Sequence, residues 1–339
     1  MNKNDKNFDP SEWLNDLPVQ NEIAAYPTDE LLVCKKCGRK SPPNRAKCFY
    51  CSEKFDLREI STDFIKPNLR KLESWENGFN LIYLANRQGF NETQLREISN
   101  LLNVEKDFIQ KLVELKEPLP IVRLESNRDA EIIRENLLKK SFETSIISDV
   151  ILDLKIPLKR LRKIDFEDEK LKITLFNTAE IIETRREDVS LIISGSIYQK
   201  KTETVEKRVK SKETKTLSID ETATDEKIID IYTKHDKIGY RILTSGFDYS
   251  WLGNSMSFLA FENIGKVFEK LKEFALDAKT SENYNRIRHI LGEVWEIEEI
   301  NDSRGISKKG IGNINLNKTA ISTNLAQFTK YSRFRRYLL

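Results

Sequence analysis

The chain has 339 residues, 39% hydrophobic and 33% charged, which is enough apolar material for two or three separately packed domains and too much for a disordered tract. The formal net charge is only +3, so the global balance singles out no class of partner. The opening "MNKNDKNFDPSEWLNDLPVQ" has polar and acidic residues where an export signal needs an apolar core, and no apolar run approaches the roughly 18 residues that span a bilayer. The expectation is a soluble, cytoplasmic chain without a transmembrane segment, in a reducing compartment where thiols stay free.

In chain order, residues 1–30 carry Pro10, Pro18 and Pro27 among polar residues and read as a flexible N-terminal arm with at most one short helix, around Trp13 and Leu14. Residues 31–58 hold all four cysteines of the chain: Cys34 and Cys37, a ten-residue connector, then Cys48 and Cys51. Each C-x2-C turn presents two sulfurs to one side of a metal, so two turns complete a tetrahedron around one ion. Gly38 follows the first pair, where the chain favours a residue tolerant of positive φ, and Ser52 stands at the matching place after the second. Two disulfides, a redox pair and a rubredoxin-type iron centre are the alternatives, and zinc is the ion favoured.

Six basic residues and no acidic one lie between the outer cysteines: Lys35, Lys36, Arg39, Lys40, Arg45 and Lys47. They balance the −2 charge of a divalent ion held by four thiolates. With Phe49 and Tyr50 they also offer a surface for phosphates and bases, on which Lys35, Lys36, Arg39 and Arg45 are the candidate contacts.

The run Cys34-Lys35-Lys36-Cys37-Gly38 and Cys48-Phe49-Tyr50-Cys51-Ser52-Glu53-Lys54-Phe55 resembles the bacterial zinc-ribbon family over about 25 residues. The resemblance implies one structural zinc and no open coordination position.

Residues 66–118 read as a helical segment. Leu69, Leu72, Trp75, Phe79, Ile82 and Tyr83 recur at helical spacing, as do Leu95, Ile98, Leu101, Leu102, Phe108 and Leu112, with a cap at Asn91–Gln94 and a break at Asn103. Residues 119–150 switch period twice: a strand at 121–125, a cap at Ser126 and Asn127, a helix with Ala130, Ile133, Leu137 and Leu138 on one side, and a strand at 144–148. This is a β-α-β unit. Through Val122-Arg123-Leu124 and Ala130-Glu131-Ile132-Ile133 it is similar to small bacterial signal-transducing domains related to PII regulators, which implies a ferredoxin-like fold and regulation rather than catalysis.

Residues 157–298 read as a β-rich domain of short alternating runs closed by helices at "FENIGKVFEKLKEFA" and "SENYNRIRHILGEVWEI". Strands followed by a terminal helix resemble a pleckstrin-homology-like module in topology alone. Within it, 200–227 is dense in Lys, Glu and Thr and reads as an exposed loop or extended hairpin. Residues 301–339 carry eight basic residues and one acidic and read as a basic tail, where Arg333, Arg335 and Arg336 interleave with Phe328, Tyr331, Phe334 and Tyr337 as candidate anion contacts.

Catalytic patterns are missing. His235 and His289 stand in unrelated segments, "SGS" at 194–196 is no nucleophile elbow, and "GISKKGIGNI" lacks a P-loop ending. The expectation is an α+β, multi-domain, zinc-binding regulatory or adaptor protein with a protein partner, similar in order to uncharacterised bacterial zinc-ribbon proteins. The rival is a nucleic-acid binder using the ribbon and the tail.

Overall fold

The computed structural model describes residues 31–42, 47–55, 69–85, 89–152, 154–208, 214–308 and 314–339, so the expected arm at 1–30 lies outside the described residues. Helix and sheet are mixed, and the chain divides into two compact units. One comprises the described residues up to Leu72 together with Gly78–Ile147, the other Glu73–Asn77 with the described residues of Ser148–Leu339.

Among the described residues the first unit begins with two short strands, β1 (Leu32–Val33) and β2 (Lys40–Ser41), paired antiparallel. It continues with β3 (Phe79–Tyr83), helices α1 (Glu92–Leu102) and α2 (Lys106–Leu115), β4 (Leu119–Leu124), α3 (Asn127–Lys139) and β5 (Thr144–Ser148). Helix α1 starts where its sequence says it should: Asn91 caps Gln94 N–H and Gln94 returns the bond, a reciprocal capping box. It stops at Asn103, which takes the left-handed conformation at φ 52°. Ser126 caps α3 through the backbone N–H of Asp129 at 3.0 Å.

The helix expected over Leu69–Tyr83 is corrected. Residues 79–83 form the central strand of a three-stranded sheet of order β4-β3-β5. The reason is burial on both faces: Leu81, Ile82 and Tyr83 are all enclosed, and such a strand reads as a continuous apolar run with no alternation. Gly78 fixes its entry, since a Cβ there would lie 2.5 Å from Leu72 Cδ1 and 2.7 Å from the Leu124 carbonyl oxygen. Asn80, fully buried, donates to the Ile147 carbonyl at 3.1 Å across to β5. The β4-α3-β5 unit is therefore split, with β3 inserted between its strands. In α3, Leu138 faces solvent and Ile132 takes the buried place expected for it.

The second unit opens with the short helix α4 (Asp149–Leu152) and is built on a nine-stranded sheet. Its strands are β6 (Lys159–Phe166), β7 (Lys170–Leu175), β8 (Ile181–Arg185), β9 (Val189–Arg208), β10 (Thr214–Thr233), β11 (Tyr240–Leu243), β12 (Lys279–Ser281), β13 (Glu298–Lys308) and β14 (Ile314–Thr323). The order is β13-β14-β9-β10-β11-β6-β7-β8, with β12 also beside β9. Neighbours are antiparallel except β11 with β6 and β12 with β9. The charged stretch at 200–227 supplies the outer halves of β9 and β10, which pair from Lys200↔Ala223 to Arg208↔Thr214.

Helices cover both faces of the sheet's centre. On one side α5 (Ala260–Phe274) presses Ile264, Val267, Phe268 and Leu271 onto Ile192, Ile229, Ile231 and Ile242. Strand side chains alternate between faces, so Asp230, Tyr232 and Gly195 look the other way. They meet α6 (Tyr284–Leu291) and α7 (Leu325–Tyr337).

The expected basic tail is corrected here. Residues 298–308 and 314–323 pair antiparallel as β13 and β14, and α7 is enclosed nearly all round, with Phe328, Tyr331 and Phe334 at 0% exposure. Its polar side chains are spent on the fold. Tyr232 and Ser332 hydroxyls meet at 2.8 Å, Ser281 and Tyr331 hydroxyls at 3.0 Å, and Gln327 Nε2 donates to the Trp295 carbonyl at 2.8 Å. A Cβ on Gly195 would come within 2.6 Å of the Phe328 ring, so only glycine lets the helix approach. At β9 the edge between the β12 and β14 pairings is closed by side chains instead of a strand. Asn285 Oδ1 accepts from Ser196 N–H and Asn324 Oδ1 from Tyr198 N–H, both at 2.8 Å, which gives these backbone donors the partners a strand would supply.

Candidate metal centre

The ribbon consists of two knuckles made by the same hydrogen-bond pattern. In the first, Cys34 N–H donates to the Arg39 carbonyl at 3.0 Å and Gly38 N–H to the Cys34 carbonyl at 2.8 Å; β1 and β2 hold the ends together. In the second, Cys48 N–H donates to the Glu53 carbonyl at 2.7 Å and Ser52 N–H to the Cys48 carbonyl at 2.9 Å, with a Lys47–Lys54 bridge closing the base. Gly38 and Ser52 occupy equivalent places with φ of 70° and 57°. Serine is strained there and glycine is not. Ser52→Gly is therefore expected to stabilise the two knuckles by about 1 kcal/mol, seen as slower loss of any bound metal to a competing chelator.

The turns bring the four Sγ atoms within 4.8 Å of one another. Cys34 and Cys51 are 3.5 Å apart, as are Cys37 and Cys48, and all four are free thiols. Sulfurs bound to one zinc at about 2.3 Å stand roughly 3.7 Å apart at tetrahedral angles, so the cluster closes on an ion with little movement. Cys34 and Cys48 are buried, Cys51 is half-buried and Cys37 is exposed.

Ser41 lies beneath the site, fully buried; its hydroxyl donates to Cys48 Sγ at 3.5 Å and accepts from Phe49 N–H at 3.1 Å. Sequence reading did not single it out, and its only signal is a serine on the strand that closes the first knuckle.

The electrostatics favour a bound cation. Burial opposes ionisation of Cys48, but the Ser41 hydroxyl and the backbone N–H groups of Cys51 and Tyr50 outweigh it and pull the thiol down to about 6. At Cys51 the Glu53 N–H favours the thiolate, yet burial and the sulfurs of Cys34, Cys37 and Cys48 push it up to about 12. Ionisation is thus favoured at Cys48 and opposed at Cys51, where a cation among the sulfurs would compensate the charge. A metal ion held here would displace protons from these sulfurs, so its retention would fall as pH drops.

The surrounding cations are partly committed. Lys36 pairs with Glu53 at 3.0 Å, and that carboxylate, helped by Cys51 and Cys34, holds its ammonium above the usual value. Arg39 lies over the Tyr50 ring at 4.9 Å, and the Phe49 and Tyr50 rings meet edge to face at 5.3 Å. Lys35 is exposed, and Arg45 lies outside the described residues. Beneath the ribbon, Leu32 and Phe55 pack on Ile132 of α3.

The other candidate contacts are in α7 of the second unit. Arg333 is buried and donates to the Leu152 carbonyl at 2.8 Å and to the Ile156 carbonyl. Arg336 donates to the Asp236 carbonyl at 2.7 Å and to that of Lys237, and Arg335 is half-buried with a partner of its own. The two histidines are exposed, and His235 Nε2 stands 3.1 Å from Asp188 Oδ1.

No described helix is long and apolar enough to cross a membrane. Comparison with protein-family models, with curated proteins and with solved structures returned no match.

Proposed function

We propose that this chain is a zinc-ribbon protein of the bacterial cytoplasm, in which one structural zinc on Cys34, Cys37, Cys48 and Cys51 shapes a docking module for a protein partner. The observation that carries the reading is the convergence of four sulfurs within 4.8 Å. Four thiolates leave a tetrahedral ion no open position for water or substrate, so the metal is a scaffold rather than a catalyst. What the scaffold presents is the exposed Tyr50 with Arg39 over its ring, the residue types that anchor interfaces. Cross-linking in the native host should capture a protein that is lost from Arg39→Ala/Tyr50→Ala while zinc content stays the same. An identical cross-linking pattern in that variant would remove the support for the docking role.

The rival reading, nucleic-acid binding, draws on the same Arg39–Tyr50 pair with Lys35 and Lys36. Arg333 and Arg336 add less to it, because their guanidinium groups hold backbone carbonyls. Retention of DNA or RNA at about 50 mM salt, falling steeply as salt is added, would favour it.

A further inference from the structure

One stretch of the second unit is at odds with ordinary packing. From Tyr249 to Phe261 the chain has no charged residue. At its end four large apolar side chains are turned to solvent: Met256 at 56%, Phe258 at 107%, Leu259 at 61% and Phe261 at 58%. Exposed apolar groups scattered singly need no explanation, whereas a contiguous cluster marks an interaction site.

The turn is held in shape. Asn263, buried at 4% exposure, clamps both backbone groups of Ser257: its Oδ1 accepts from Ser257 N–H at 2.7 Å and its Nδ2 donates to the Ser257 carbonyl at 2.8 Å. Leu259 N–H donates to Ser257 Oγ at 3.1 Å, and Lys266 Nζ to the Ser255 carbonyl. A side chain committed to fixing a turn that serves no core contact is preorganisation, which removes the ordering cost from a later binding event.

We propose that Met256–Phe261 inserts into the interfacial layer of a lipid bilayer and holds the protein at a membrane surface. A second copy of this chain is the poorer occupant. A stable interface takes about 800 Å² and 20 to 30 residues from each partner, and a protruding turn of this size offers a small part of that. A bilayer asks for no matching shape and accepts Phe, Leu and Met at the boundary between headgroups and acyl chains.

Charge fits as well. The uncharged tip carries no ion to desolvate, and two ammonium groups stand at its base: Lys227 Nζ lies 3.8 Å over the Phe261 ring, and Lys266 is anchored to the turn itself. Their long stems let the charges reach the phosphate level while the tip goes deeper. Asp225, Glu226 and Glu262 offset these cations and Arg288, so insertion rather than surface charge drives the association.

The test is vesicle flotation with the full-length chain, using phosphatidylcholine vesicles and vesicles that also contain phosphatidylglycerol. The native protein is expected to float with both. Phe258→Ser/Leu259→Ser removes two side chains that touch little of the fold, and should lower the bound fraction about tenfold with an unchanged melting temperature. Asn263→Ala keeps the apolar groups but frees the turn, and a smaller loss is expected. Native protein that stays unbound with both vesicles overturns the proposal, as does a double variant that floats like the native chain. A dimer in sedimentation that the double variant dissolves would give the tip to a second copy instead.

Discussion

Replacing Cys34 and Cys48 together by serine is expected to reduce bound zinc from one ion per chain to none and to open the ribbon to protease. Each substitution removes the buried member of one C-x2-C pair, so no intact pair remains. A serine hydroxyl stays protonated where a thiolate is needed. Among the described residues, Leu32 and Phe55 on Ile132 are its apolar attachments, set against a backbone ordering cost of about 1–2 kcal/mol per residue. Structural zinc contributes about 10–16 kcal/mol in zinc-finger peptides, enough to decide the folding of a module this small. Elemental analysis and limited proteolysis read the two effects, and a double variant that kept its zinc would show that other ligands hold the metal.

Arg241→Met is expected to destabilise the second unit by about 3–5 kcal/mol, lowering its melting temperature by roughly ten degrees. Arg241 and Asp230 stand opposite each other on β11 and β10. The guanidinium donates to both carboxylate oxygens, Nε to Oδ1 at 2.7 Å and Nη2 to Oδ2 at 2.8 Å, and Nη2 also meets Thr329 Oγ1 at 3.0 Å. Asp230 has no exposed surface. Removing the cation leaves a carboxylate buried without its counter-ion, which costs far more than the pair contributes. The double variant Asp230→Leu/Arg241→Met should therefore regain most of the lost stability. If the single variant melts with the native chain, the ion pair does not hold α7 to the sheet.

What the sequence made legible was local. The spacing of Cys34, Cys37, Cys48 and Cys51 encodes two turns whose bonds close within six residues, and Asn91 and Asn103 bracket α1 by chemistry confined to its ends. What it hid depends on partners distant in the chain. β3 is apolar apart from Asn80 because both of its faces are covered, and a run of that kind has no period by which to tell strand from helix. Helix α7 reads as a basic tail in sequence because it has almost no amphipathic pattern. Its aromatic groups fill the core and its Arg333 meets carbonyls of Leu152 and Ile156, far upstream in sequence. Asp230 amid "IIDIY" and Arg241 amid "GYRIL" are each out of place alone, and only the register of β10 with β11 shows that they answer one another.

Coordination by sulfur alone can be read from zinc K-edge absorption on the native protein. One zinc per chain is expected, with four sulfur neighbours at about 2.3 Å and no nitrogen or oxygen in the shell. A chain without metal, or an ion carrying fewer sulfurs and a bound water, would contradict it.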